Sequence, residues 1–204
     1  MRFLDVATRL SALILVMALA ACGGTFRTSY GAGAGADAAN WRVTAVDVSV
    51  PRTLVVSEDE VYIPKADIVW REDPAGDRYS QVEAIMETAI RKGASGLKGS
   101  RPVRLEVTVA RFHAMTFLAE TRAPGGVHDI EFTITALDAG SGEVLAGPEY
   151  IEASFPAKTG AAMTTARARG ETQKSQITDH VARTVASWLG TGPDARQTFS
   201  SVGG

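Results

Sequence analysis

The 204-residue chain contains a single cysteine, Cys22. No disulfide framework can form within it. Its histidines, His113, His128 and His180, fall in no HExxH or other short ligand spacing, so the expectation is no metal and no cofactor. The nucleophile elbow G-x-S-x-G is missing: Gly93-Ala94-Ser95-Gly96 and Gly140-Ser141-Gly142 have the wrong spacing and read as a helix stop and a hairpin turn. A glycine-rich phosphate loop opening a helix is also missing. Long runs of one charge sign do not occur, and the formal net charge is -2, which argues against a nucleic-acid binder needing a basic face. No repeat of solenoid period is visible, and no apolar run is long enough to span a bilayer.

What is present begins at the amino end. Arg2 and Arg9 flank a mostly polar start, and Leu10 to Ala20 forms an apolar stretch of about eleven residues, the length of a signal-peptide core. It ends in Leu19-Ala20-Ala21-Cys22-Gly23, which resembles the bacterial lipobox of a branched aliphatic residue, two small residues and cysteine. The alternative is an amino-terminal hydrophobic anchor with an incidental cysteine. The lipobox resemblance implies cleavage before Cys22, a diacylglyceryl group on its sulfur, acylation of the new amino terminus with fatty acid such as palmitate, and anchoring by two or more chains. If Cys22 is lipidated in this way, no free thiol is left for thiol catalysis. Under the sorting rule of enteric bacteria, Gly23 in place of Asp implies the outer rather than the inner membrane, with the domain facing the periplasm.

The expected organisation is a signal peptide over 1–21, lipidated Cys22 and a flexible tether over 22–40, one domain over 41–190, and a disordered tail over 191–204. The tether reading rests on the Gly-Ala-rich stretch before Trp41, whose roughly eighteen residues would reach about 20 to 25 Å from the membrane. The tail reading rests on the small and polar residues after Gly190.

Periodicity supplies the domain. Val46, Val48 and Val50 alternate with polar residues, as do Val103 to Val109 and Ile130 to Ile134, the mark of strands with one buried face. Asp138 to Glu143 carries turn residues that join the last of these to Val144–Phe155 as a hairpin. Val82, Ile85, Met86, Ala89 and Ile90 follow a helical stripe stopped by Gly93, and Ile177, Val181, Val185 and Trp188 form a second stripe closed by Gly190. The expectation is an α+β fold of order β-α-β-β-β-α, a mostly antiparallel sheet with two helices packed on one face.

Candidate sites come from the places where pattern breaks. Pro51 to Gly76 is a long connection. In it, Ser57, Glu58, Asp59, Glu60, Tyr62 and Pro64 either present acidic and aromatic groups to a partner or form a solvated turn. Trp70, followed by Arg71, is either an interface anchor or core. Continuing the inward face of Val103–Val109 lands on Arg111 and His113. Either a bulge turns Phe112 inward, or the strand offers Arg111 and His113 to a groove suited to an anionic headgroup or carboxylate. His180 is expected to satisfy its neighbours, Asp179 among them.

The run VPRTLVVSEDEVYIPKADIVWREDPAGDRYSQVEAI, then RPVRLEVTVARFHAMT, GGVHDIEF and TQKSQITDHVA, resembles an uncharacterised family of bacterial predicted lipoproteins, which brings no catalytic residue with it. Asp67 to Pro74 ahead of the first helix resembles the corresponding entry in auxiliary lipoproteins of bacterial lipid-transport ABC systems. Together these imply a membrane-anchored, non-enzymatic binding or accessory domain of an envelope transport complex, with an envelope protein or a lipid as partner and no nucleic acid. The alternatives are a hydrolase of envelope material using Arg111, His113 and a loop acid, and a purely structural lipoprotein.

Overall fold

The structure, a computed structural model, describes residues 24–200. The signal peptide and Cys22 lie outside the described residues. In chain order the elements are β1 (Thr25–Ser29), a 3-10 turn (Ala36–Asn40), β2 (Trp41–Ser49), β3 (Ile68–Val69), α1 (Arg78–Ala94), β4 (Arg101–His113), α2 (Phe117–Arg122), β5 (Gly126–Asp138), β6 (Val144–Ala153), β7 (Phe155–Ala157), α3 (Gly160–Ala168), α4 (Gln173–Trp188) and β8 (Gln197–Ser200).

The body of the fold is β2-α1-β4-β5-β6-α4, the expected order, and the strands lie side by side as β2-β4-β5-β6-β1-β8. Pairing is antiparallel except along one edge of β4. There β2 runs parallel to it because α1 intervenes as a crossover, and β3 runs parallel to its far end. The alternating residues Val103, Leu105, Val107 and Val109 of β4 and Ile130, Phe132 and Ile134 of β5 are buried on one face. They join Val82, Met86 and Ile90 of α1 and Ile177, Val181 and Val185 of α4 in one core. At about 25 cal/mol per Å² of buried apolar surface, this face dominates the stability of the fold.

Local signals set the helix ends. The Asp77 carboxylate accepts from the Tyr79 amide at the start of α1, and Thr172 and Ser175 cap α4 reciprocally. Gly190, with φ +74°, closes α4 in the left-handed conformation. Gly93 serves differently from the expected stop. It lies inside α1, and a Cβ there would stand 2.5 Å from the Ala182 carbonyl oxygen. The glycine is what lets α1 and α4 cross closely.

The structure also corrects both chain ends. From Thr25 the supposed tether is a strand: β1 pairs with β6 through Thr28 and Ala153, and with β8 through Phe26 and Phe199, whose rings stack at 6.1 Å. The supposed disordered tail supplies β8, and ahead of it the Ala195 amide donates to Ser187 Oγ at 3.0 Å. Thr28 is buried and its hydroxyl donates to the Ser154 carbonyl at 2.8 Å. Pairing with the open edge of β6 satisfies backbone groups that would otherwise face solvent, and this drives order where apolar patterning is weak.

Candidate binding groove

The parity break in β4 resolves into both of its alternatives. Val109 pairs with Phe132 and Arg111 with Glu131, so Ala110 is an extra residue that shifts the register. Phe112 turns into the core, where Trp70 meets its ring edge-on at 5.7 Å. Arg111 and His113 then fall on the face turned away from α1 and α4, beside Asp129 of β5.

Those three side chains border a groove of about 350 Å³ whose other walls are apolar: Met115 after β4, Ala119 of α2, and the Ala123–Val127 connection. Tyr62 and Ile63 from the long loop and Phe26 from β1 complete its rim. Arg111 Nε donates to Asp129 Oδ2 at 2.6 Å, and Ser154 Oγ donates to the other carboxylate oxygen at 2.6 Å. Asp129 therefore holds the guanidinium in place by one nitrogen. Its terminal nitrogens make no side-chain hydrogen bond among the described residues and are left for an anionic or carbonyl group. His113 Nε2 donates to the Pro64 carbonyl at 3.1 Å. Burial pushes the His113 pKa down from its ordinary value, and neighbouring Arg111 lowers it further, so the ring is neutral at pH 7.

The long loop is a braced rim rather than a solvated turn. Buried Arg78 donates to both carboxylate oxygens of Glu58 at 2.7 and 3.2 Å and to the Asp73 carbonyl at 3.1 Å. Glu58 also pairs with Arg71. Glu60 accepts from the Leu118 amide at 2.7 Å, fixing the start of α2, and Thr116 Oγ1 donates to the Val61 carbonyl at 2.8 Å. Glu58 and Glu60 are thus tied into the loop while they and Asp59 stay solvent-exposed. Directly after these acids the loop also exposes an apolar run, Val61, Tyr62 and Ile63, the last 80% exposed.

Of the four candidates, Arg111 and His113 share the groove, whereas Trp70 and Arg71 do not line it. Trp70 is fully buried, its indole N–H donating to Asp73 Oδ2 at 2.8 Å, so it is core and not a surface anchor. Arg71 is held by Glu58 and by Glu60 at 3.6 Å. For the hydrolase alternative, Glu58, Glu60 and Asp67 of the long loop are all engaged elsewhere, Asp67 by the Val55 amide at 2.8 Å. None of them hydrogen-bonds to His113, whose ring N–H goes to a backbone carbonyl.

Two clusters had no counterpart in the sequence reading. Glu120 is buried between Arg167, which binds it through two nitrogens at 2.9 and 2.8 Å, and Gln173 at 2.5 Å. His128, Phe155 and His180 stack in series, with centroid distances of 4.9 and 4.3 Å. Because the Thr28 hydroxyl already donates to Ser154, it accepts from His180 Nε2 at 2.9 Å, leaving Nδ1 to face Arg183 at 3.5 Å. Asp179, the expected partner of His180, pairs instead with Lys92 at 2.7 Å. Burial lowers the pKa of His128 to about 3 and of His180 to about 4, with His180 and Arg183 respectively as the nearest charge contributions. Among the described residues no group of three or more His, Cys, Asp or Glu could hold a metal ion, and no helix is long and apolar enough to cross a membrane.

A sheet with two helices on one face and a groove on its far side define a small α+β domain. The chain belongs to the family of unknown function DUF6778, whose model matches residues 41–204. No curated protein matches the sequence. Among solved structures it is similar to the PelC dodecamer from Paraburkholderia phytofirmans, with 15% identity, a TM-score of 0.33, and coverage of 80% of this chain and 96% of that one. It is also similar to a candidate lipoprotein from Caulobacter crescentus CB15, with 14% identity, a TM-score of 0.32, and coverage of 72% and 93%.

Proposed function

We propose that this protein is an envelope lipoprotein, cleaved before Cys22 and acylated there, whose non-enzymatic domain binds an anionic amphiphile in the groove beside Arg111. In this reading it faces the periplasm from the outer membrane and serves as an accessory of an envelope transport complex. The lipobox at Leu19–Gly23 supports the anchor. The observation that carries the binding role is the combination at the groove: apolar walls for a chain, and a guanidinium fixed by Asp129 with its remaining donors free for a headgroup. Glu58 held by Arg71 and Arg78, Glu60 held by the Leu118 amide, and a His113 ring N–H given to the Pro64 carbonyl leave no acid paired with the histidine, which supports binding over hydrolysis.

The test is native mass spectrometry and lipid extraction on the full-length protein purified from its own membranes in mild detergent. Wild type should retain an anionic amphiphile. Ala123→Trp, which fills the groove from its wall, should lose it, and Arg111→Ala should weaken it. Equal retention by wild type and both variants, or no amphiphile at all, would refute the binding role.

A further inference from the structure

The groove has a second property, which comes from where the chain enters the fold. Phe26, on its rim, is four residues from Cys22, and Thr25 is already paired in the sheet. Four residues span at most about 14 Å when fully extended. A lipid on Cys22 therefore holds the groove against the bilayer, since the headgroup layer and a leaflet of hydrocarbon begin within that distance. This is a much shorter leash than a free tether reaching to Trp41 would give.

The surface at that end has the composition such a position requires. Val61, Tyr62 and Ile63 are consecutive and 46, 53 and 80% exposed, and Phe117 beside them is 46% exposed. The hydrogen bonds from Thr116 to the Val61 carbonyl and from the Leu118 amide to Glu60 place Phe117 next to this run. Exposed Lys65 follows the run and makes no ion pair among the described residues, while exposed Glu58, Asp59 and Glu60 precede it, Glu58 being neutralised by Arg71 and Arg78. Consecutive exposed aliphatic and aromatic side chains match the interfacial zone of a membrane, where an aromatic ring with a polar tip sits at headgroup level. The braced loop presents them already ordered, so little conformational entropy is lost on contact.

Resting on the reading of Cys22 as the lipidated residue, we infer that Val61–Ile63 and Phe117 are a bilayer-docking face. The groove then opens onto the membrane that holds the anchor, and its amphiphile enters from the leaflet and not from water. The lipid surface is the occupant that the short leash from Cys22 brings to this patch.

The experiment exploits the cysteine content. In the mature lipoprotein the sulfur of Cys22 is blocked, so a single added cysteine is a unique labelling site. Ile63→Cys, Tyr62→Cys and, as a control on the exposed side of α1, Glu83→Cys are purified full-length. Each is labelled with an environment-sensitive nitrobenzoxadiazole dye and reconstituted in vesicles of phosphatidylethanolamine and phosphatidylglycerol. Mass spectrometry of the amino-terminal peptide is run in parallel. The expected result is lipidated Cys22, with blue-shifted emission quenched by spin-labelled lipid at positions 62 and 63 and neither effect at 83. Emission at 62 and 63 as water-like as at 83, on protein whose Cys22 is lipidated, overturns the docking face and leaves the anchor standing. An unmodified Cys22 overturns the anchor and the docking face together.

Discussion

Glu72 lies across the amino end of α4, its two carboxylate oxygens accepting from the backbone amides of Gln173 at 3.0 Å and Lys174 at 2.7 Å. A carboxylate so placed meets unpaired amides and the positive end of the helix dipole together. It also ties the segment after β3 to a helix a hundred residues later in the chain. Arg167 bridges it to buried Glu120, contacting Glu72 at 2.9 Å and Glu120 at 2.8 Å. Glu72→Ala should therefore lower unfolding stability by about 1 to 2 kcal/mol. Glu72→Gln, which keeps the acceptor but drops the charge, should lose less. Urea denaturation curves of the three proteins measure this, and coincident midpoints for wild type and Glu72→Ala would show that the amides are satisfied some other way.

Gly93→Ala should destabilise, contrary to the usual sign. In an exposed helix interior, alanine for glycine gains about 1 kcal/mol. Here the new methyl group would meet the Ala182 carbonyl oxygen at 2.5 Å and Val185 Cβ at 2.9 Å, so α1 and α4 would have to separate. A net loss of about 1 to 3 kcal/mol is expected from overpacking of this kind. Thermal unfolding followed by circular dichroism decides the sign, and a higher melting temperature would mean the helices part at little cost.

Alternation and helical stripes carried the central elements because each strand and helix is half-buried, and half-burial writes its period directly into the chain. The parity break at Arg111 was legible for the same reason, since Phe112 required burial and the residues on either side did not. The terminal strands were not legible. The pairing of Thr25 with Ser200 is made by backbone groups across nearly the whole chain, and of residues 25–29 only the polar Thr28 is buried, so no apolar alternation marks the strand. The groove was half legible. Its polar side follows from one strand, but its apolar rim is assembled from Phe26, Ile63, Met115 and the 123–127 connection, which no local pattern unites. The ion pairs of Glu58 with Arg71 and Arg78 tie the loop to the segment after β3 and to α1, and sequence spacing alone cannot say which acid meets which base.

Stability should fall as the solution is acidified from about pH 6.5 toward pH 4. All three histidines have pKa values below the ordinary 6.5 because burial disfavours the cation: His128 about 3, His180 about 4, and His113 in the same direction. Above pH 6.5 each ring is neutral in both the folded and the unfolded chain and contributes nothing. Below it the unfolded chain takes up protons that the folded chain refuses, so the unfolded state gains up to about 1.4 kcal/mol per pH unit for each of His128 and His180, with His113 adding in the same direction. The carboxylates held low by their partners, such as Asp73 beside Lys174 and Glu152 beside Arg27, lose their contribution only from their ordinary value near pH 4 downward. The window from 6.5 to 4 thus belongs to the histidines. His128→Phe, which keeps an aromatic ring against Phe155, should flatten the slope. A wild-type stability constant across that window, by urea titration at each pH, would contradict the burial of these rings.

Cys22→Ala addresses the anchor itself. If the sulfur must be acylated before the peptidase cuts, the variant should accumulate as uncleaved precursor or be released, and in either case should lose metabolic palmitate label. The folded domain does not depend on that residue, because β1 begins at Thr25 and its contacts run to β6 and β8. Solubilised Cys22→Ala protein should therefore unfold at the same urea concentration as wild type, which separates a lost anchor from a lost fold. Palmitate label that persisted in the variant would place the acylation elsewhere and remove the short leash between membrane and groove.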